Sequence, residues 1–141
     1  MQIDPRGPRF SAALSAIVLA AVLITGSGSL LALQAAVFAL PAFGGLRLSP
    51  YGWLYRTFVR PHLAPPTATE DERPPRFAQG VGLVFAAVGS LGFLSAVPWL
   101  GLLTTAFALA ATFLNAAFGY CLGCEMYLLI RRAQGRPDVV A

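Results

Sequence analysis

Two long stretches of the chain are hydrophobic and uninterrupted by charge: 37 residues between Arg9 and Arg47, and 48 between Arg76 and Glu125. Both are rich in Ala, Leu, Val and Phe and lack the period-2 alternation of a membrane-barrel strand. A bilayer core about 30 Å thick takes about 20 helical residues at about 1.5 Å each. Each stretch is therefore too long for one crossing and suits two, divided by uncharged turns at Gly26 to Ser29 and Ser95 to Trp99. The pattern predicts an all-α membrane protein with four transmembrane helices in two tandem hairpins, over Phe10 to Thr25, Leu30 to Gly45, Phe77 to Val97 and Pro98 to Leu122. The first two are short and must tilt little or thin the bilayer. Pro41 removes one backbone bond inside the second and predicts a kink. Gly82, Ala86, Gly89, Ser90 and Gly92 put small residues at helical spacing in the third, where a neighbouring backbone can approach closely.

Between the hairpins, Tyr51, Trp53, Tyr55 and Phe58 interleave with Arg56 and Arg60, which predicts a short interfacial helix at the headgroups. Pro61, Pro65, Pro66, Pro74 and Pro75 then impose an extended connector. The acidic run Glu70-Asp71-Glu72 caps or solubilises that connector, or docks a basic partner. The lone histidine, His62, reads as a solvated loop residue. Asp4-Pro-Arg6-Gly-Pro8-Arg9-Phe10 recurs 67 residues later as Asp71-Glu-Arg73-Pro-Pro75-Arg76-Phe77. The hairpins also close alike, on Tyr51-x-x-Leu54-x-Arg56 and Tyr127-x-x-Ile130-x-Arg132. The division is a single domain over 1–141: repeat 1 at 4–60, connector at 61–70, repeat 2 at 71–132 and a tail at 133–141. Two-span units share orientation, which gives a parallel repeat about an axis near the membrane normal.

Composition agrees: 57% of residues are hydrophobic and 11% charged, which excludes an ordinary water-soluble domain. All ten basic residues are arginine. Arg6 and Arg9 precede the first span, Arg47, Arg56, Arg60, Arg73 and Arg76 fill the central segment, and Arg131, Arg132 and Arg136 follow the fourth. The positive-inside rule makes both termini and the central segment cytoplasmic. Arg6 and Arg9 before an apolar run also resemble the start of a signal peptide, but no small-x-small site closes the run and the segment is half of a repeat, so it reads as a retained span. These arginines flank spans and do not form a base-stacking platform, so nucleic acid is not an expected partner. The uncharged spans offer no proton or ion path.

One constellation carries chemistry: Asn115-x3-Gly119-Tyr120-Cys121-Leu-Gly123-Cys124-Glu125-Met-Tyr127. Cys-x-x-Cys puts two thiols about one helical turn apart, within reach of a disulfide, a shared metal or a transferred sulfur. In the cytoplasm any such disulfide is transient. A thiol ending a continuous helix meets the negative end of the dipole and is dulled, whereas one at a helix start is activated. Gly119 and Gly123 are both candidate breaks, with Cys124 as the cap of a new short helix carrying Glu125 to Arg132. Arg131 and Arg132 then supply positive charge, while Glu125 opposes thiolate formation or accepts a proton. Asn115, an amide in the fourth span, needs a hydrogen bond, to another helix or to a carbonyl freed near Gly119. Thr104, Thr105 and Thr112 are expected to bond back to their own helix. No Walker loop, catalytic triad, dinucleotide fingerprint or metal cluster of three ligands is present, and no cofactor is expected.

The opening Asp-x-Arg-x-x-Arg-Phe, the Ser49-Pro50-Tyr51 and Pro74-Pro75-Arg76-Phe77-Ala78-Gln79 of the middle, and the closing Asn-x3-Gly-x-Cys-x-Gly-Cys-x-x-Tyr resemble the bacterial, mainly actinobacterial, membrane family called domain of unknown function 4395. The resemblance runs from Asp4 to Arg132. It implies an inner-membrane setting and association with thioredoxin-like proteins and thiosulfate sulfurtransferases. The expected function is thiol redox or sulfur relay through Cys121 and Cys124, with Cys124 attacking and Cys121 resolving. Its alternatives are a non-enzymatic scaffold or accessory subunit of a membrane complex, and a metal site that pairs Cys121 and Cys124 of two copies in a homodimer.

Overall fold

In the computed structural model, which describes residues 2–135, the two hydrophobic stretches form four long helices. They are α1 (Arg6–Thr25), α2 (Gly28–Gly44), α4 (Arg73–Leu94) and α5 (Pro98–Phe118), with short α3 (Pro50–Leu54) between the pairs and α6 (Leu122–Ala133) at the end. Helices α1, α4 and α5 are long and apolar enough to cross a membrane, while α2 is apolar but only 17 residues long. Arg136 and the rest of the predicted tail to Ala141 lie outside the described residues.

The turns form for local reasons. Gly26 takes a left-handed conformation (φ 66°) that ends α1, and the Ser27 hydroxyl accepts the Leu30 N–H at 3.1 Å to start α2. Pro98 opens α5, where its missing N–H costs nothing.

The other end of the molecule carries the long-range polar contacts. Strand β1 (Gln2–Ile3) pairs antiparallel with β2 (Glu70–Asp71), which sets the starts of α1 and α4 side by side. Asp4 accepts both the backbone N–H and the guanidinium of Arg6, and Asp71 does the same for Arg73. Three residues into each helix a second arginine reaches across. Arg9 donates to the Ala116 carbonyl at the end of α5 (3.2 Å), and Arg76 to the Ala42 carbonyl at the end of α2 (3.2 Å). The last carbonyls of a helix lack intrahelical partners and carry partial negative charge, so each guanidinium satisfies a real deficit.

Packing follows these contacts: α1 lies on α5, α2 on α4, and α4 on α5. Leu19, Val22, Leu31, Phe38, Ala86 and Ala108 form the buried centre. The small residues of the third hydrophobic segment act as read from the sequence, since Ala86, Gly89, Ser90 and Gly92 are buried. A Cβ on Gly89 would run into Thr104 and Leu31, and one on Gly92 would lie 2.9 Å from the backbone nitrogen of Gly101. Pro41 lies inside α2 and is buried. Thr104 and Thr112 bond back to their own helix, but the Thr105 hydroxyl is buried without a hydrogen-bond partner.

The central segment departs from the expected surface helix. Its turns run from Pro50 through a wider turn to Val59 and a tighter one to His62, and only Trp53 and Phe58 of its aromatics face outward. Tyr55 is buried against Phe10 and donates to Asp4 at 2.9 Å. Tyr51 donates to the amide oxygen of Gln34 (2.7 Å), and Gln34, 1% exposed, donates to Ser15 (3.2 Å). Interior acceptors draw the two phenols inward, because a buried Gln34 without partners would be costly.

Gly89→Leu is expected to lower stability by about 1–3 kcal/mol through overpacking, read as a lower midpoint of thermal unfolding in detergent. A second expectation concerns Asp4, whose carboxyl is lowered to about 2 by the hydrogen bond from Arg6, against the opposing effect of burial. A depressed carboxyl contributes stability that is complete above its unfolded value near 4 and is lost as pH falls through the folded value. Melting temperature measured against pH should therefore drop between about pH 4 and pH 2, with a flatter profile in Asp4→Asn.

Candidate functional site

Helix α5 ends because Gly119 adopts φ 70°, a left-handed position that only glycine takes cheaply, and its N–H bonds the Asn115 carbonyl at 2.9 Å. Two residues later the chain is extended at Cys121 (φ −91°, ψ 103°), which is the N-cap of α6. The Cys121 sulfur accepts the backbone N–H of Cys124 at 3.1 Å. The two Cα atoms are 5.1 Å apart and the sulfurs form a disulfide.

Several expectations are thereby corrected. The fourth hydrophobic segment stops at Phe118, not Leu122, and the break is at Gly119. Gly123 stays helical, and its missing side chain serves packing instead: a Cβ there would lie 2.5 Å from the Cβ of Ala78 on α4. Cys121, not Cys124, caps the new helix. Cys124 sits in its first turn beside exposed Glu125. Arg131 and Arg132 occupy the last turn, about 10–15 Å farther along the axis, where they complement the helix C-terminus. Arg131 stacks over Tyr127, whose ring packs on Phe77. The cation beside the break is Arg9: a Cβ on Gly119 would lie 3.6 Å from its guanidinium carbon.

Asn115 uses its backbone carbonyl, not its side chain, at the break. Asn115 also lines a partly open cavity of about 240 Å³ bordered by residues of α1, α2, α4, α5 and α6. Cys121 and Gly123 also line this cavity, with Ser15, Gln79 and Thr112 as its other polar residues. Gln34 and Gln79 carry the same sequence signal as Asn115, an amide inside a hydrophobic helix, whereas Ser15 carries only a hydroxyl. In the sequence Arg9 reads as a marker of topology and as part of the repeated Asp-x-Arg-x-Pro-Arg-Phe, neither of which points to the end of α5. Among the described residues no group of three or more His, Cys, Asp or Glu gathers as a metal site.

Residues 3–132 match the family described as a domain of unknown function (DUF4395). The chain belongs to this family. No curated protein and no solved structure matches it.

The capping geometry of this DUF4395 chain separates the two sulfurs chemically. The Cys124 N–H at the start of α6 points at the Cys121 sulfur, and a helix start is the position at which the dipole activates a thiol. In the reduced protein at pH 7, Cys121 is expected to alkylate at least about tenfold faster than Cys124. Timed iodoacetamide labelling with mass spectrometry reads this directly, and equal rates would show that the helix start does not activate the thiol.

Proposed function

We propose that the chain is a four-span protein of the bacterial inner membrane whose Cys121–Cys124 pair exchanges thiols, or passes sulfur, with a soluble cytoplasmic thioredoxin-like protein or sulfurtransferase. The observation that carries this reading is the sulfur of Cys121 at the start of α6, with a second sulfur at bonding distance one turn on. In the exchange, the Cys121 thiolate attacks a partner disulfide and displaces one partner thiolate. The Cys124 thiolate then attacks the Cys121 sulfur and releases the other. The pair ends oxidised and the partner reduced, and the sequence runs equally in reverse. This order inverts the one expected from sequence, because the cap position favours Cys121 as nucleophile and as leaving group.

Four spans are supported by parity. The starts of α1 and α4 meet through β1 and β2, so a chain that crosses once in α1 must return in α2. Arg76 at the end of α2 and Arg9 at the end of α5 mark the same level. The arginine-rich end also carries α6, which supports a cytoplasmic thiol pair. A tandem repeat is supported by matched contacts: Arg9 to Ala116 and Arg76 to Ala42, Phe10 on Tyr55 and Phe77 on Tyr127. The Ser49 hydroxyl accepts the Gly52 N–H as the Cys121 sulfur accepts that of Cys124. These contacts align Tyr55, not Tyr51, with Tyr127, and Ser49 with Cys121. The first hairpin thus has an inert serine cap where the second has a thiol.

Cys124→Ser is expected to accumulate a mixed disulfide between Cys121 and a cytoplasmic protein, visible on non-reducing gels and identifiable by mass spectrometry. Cys121→Ser should accumulate at least about tenfold less. If the double replacement leaves complexes and phenotype intact, the scaffold reading replaces this one. Zinc retained by a dimer with both thiols reduced supports the metal reading instead.

A further inference from the structure

A pair that is reoxidised inside a reducing compartment needs an oxidant, and the cavity beside Cys121 has the character of a site for one. It is lined by Phe38, Phe85 and Phe107, and apart from the Cys121 thiol none of its lining residues is ionisable, so it suits a neutral ligand. Its volume of about 240 Å³ exceeds the ~150 Å³ in which an apolar cavity already holds benzene. The Thr112 hydroxyl already donates to the Leu109 carbonyl, but an acyl chain alone would leave the amides of Gln79 and Asn115 without use. A ring bearing two carbonyl oxygens would use them as hydrogen-bond donors. Phe107, Leu122 and Met126, which line the cavity, are also exposed on the outside of the bundle, so an apolar tail has a route to lipid. Cys121 is among the lining residues and Cys124 is not.

We infer that this cavity binds the head group of a lipid-soluble quinone, which accepts two electrons from the cysteine pair. The inference rests on the thiol-exchange reading above. The Cys121 thiolate adds to a ring carbon, and the displaced electron pair moves onto a carbonyl oxygen that takes one thiol proton. The Cys124 thiolate then attacks the Cys121 sulfur, the carbon–sulfur bond breaks, and its electron pair stays with the ring. The second oxygen takes the other proton. Two thiols and one quinone become one disulfide and one hydroquinone. The amides of Gln79 and Asn115 hold the ring oxygens and stabilise the charge that develops on them.

The test uses the full chain in lipid nanodiscs, reduced and freed of reductant, with decylubiquinone as the probe. The expected result is disulfide formation with one hydroquinone per chain, followed by gel shift and ultraviolet absorbance. Ala111→Phe, which fills the cavity, and Asn115→Leu, which removes a donor, should each lower the decylubiquinone rate at least about tenfold relative to the rate with a soluble aromatic disulfide. Oxidation by the soluble disulfide without response to decylubiquinone overturns the quinone site and leaves thiol exchange standing. A pair that stays reduced with both oxidants overturns both. Unchanged rate ratios in the two variants place any quinone reaction outside this cavity and overturn the inference.

Discussion

The hydrogen bond from Arg9 to the Ala116 carbonyl is the contact on which the rest of the thiol site depends. It joins the first turn of α1 to the last turn of α5, 107 residues apart in sequence, at the point where the backbone leaves the helix through Gly119. Unsatisfied carbonyls and a partial negative charge at the end of α5 attract the guanidinium, and a fixed helix end in turn fixes where Cys121 begins the next helix. The matching bond from Arg76 to Ala42 closes the other pair of helices. An arginine that reads in the sequence as a marker of topology therefore also joins the helices of the bundle. The same residue type serves because a long apolar stem can lie along the helices while its head meets the carbonyls.

The two hairpins differ most where chemistry is proposed. After α2, a 3-10 turn intervenes before Ser49 caps α3 through its hydroxyl. After α5 only Tyr120 separates the left-handed Gly119 from the Cys121 cap. Both caps satisfy an N–H three residues on, so the structural demand is equal, but sulfur at that position can also break and form bonds. In physical terms, a capping site that already concentrates N–H dipoles on one side-chain atom needs only a change of that atom to become an activated thiol.

Much of the architecture was legible in the sequence because it depends on local quantities. Uncharged length located the four long helices, Gly26 and Ser27 announced their turn, and the small residues from Ala86 to Gly92 announced a close approach. What escaped was decided by contacts distant in the chain. Tyr51 and Tyr55 read as headgroup aromatics because their burial depends on Gln34 and Asp4, which no window around them contains. The choice between Gly119 and Gly123 turns on one backbone angle and on the proximity of Ala78, so spacing left both open. The cavity was invisible for the same reason, being assembled from five helices. The Cys-x-x-Cys motif was plain, but which sulfur caps α6 followed only once the helix start was located.

The central claim is that Cys121 and Cys124 form a cytoplasm-facing pair that changes oxidation state in the living cell. Thiol labelling from one side of the membrane, combined with rapid acid quenching, tests it most directly. The account predicts that a membrane-impermeant maleimide reaches the cysteines in inside-out vesicles and not in right-side-out ones. It also predicts that quenched cells contain both reduced and oxidised pairs, in proportions that shift under mild oxidant. Labelling only from the outer face, or a pair locked in one state throughout, would contradict it.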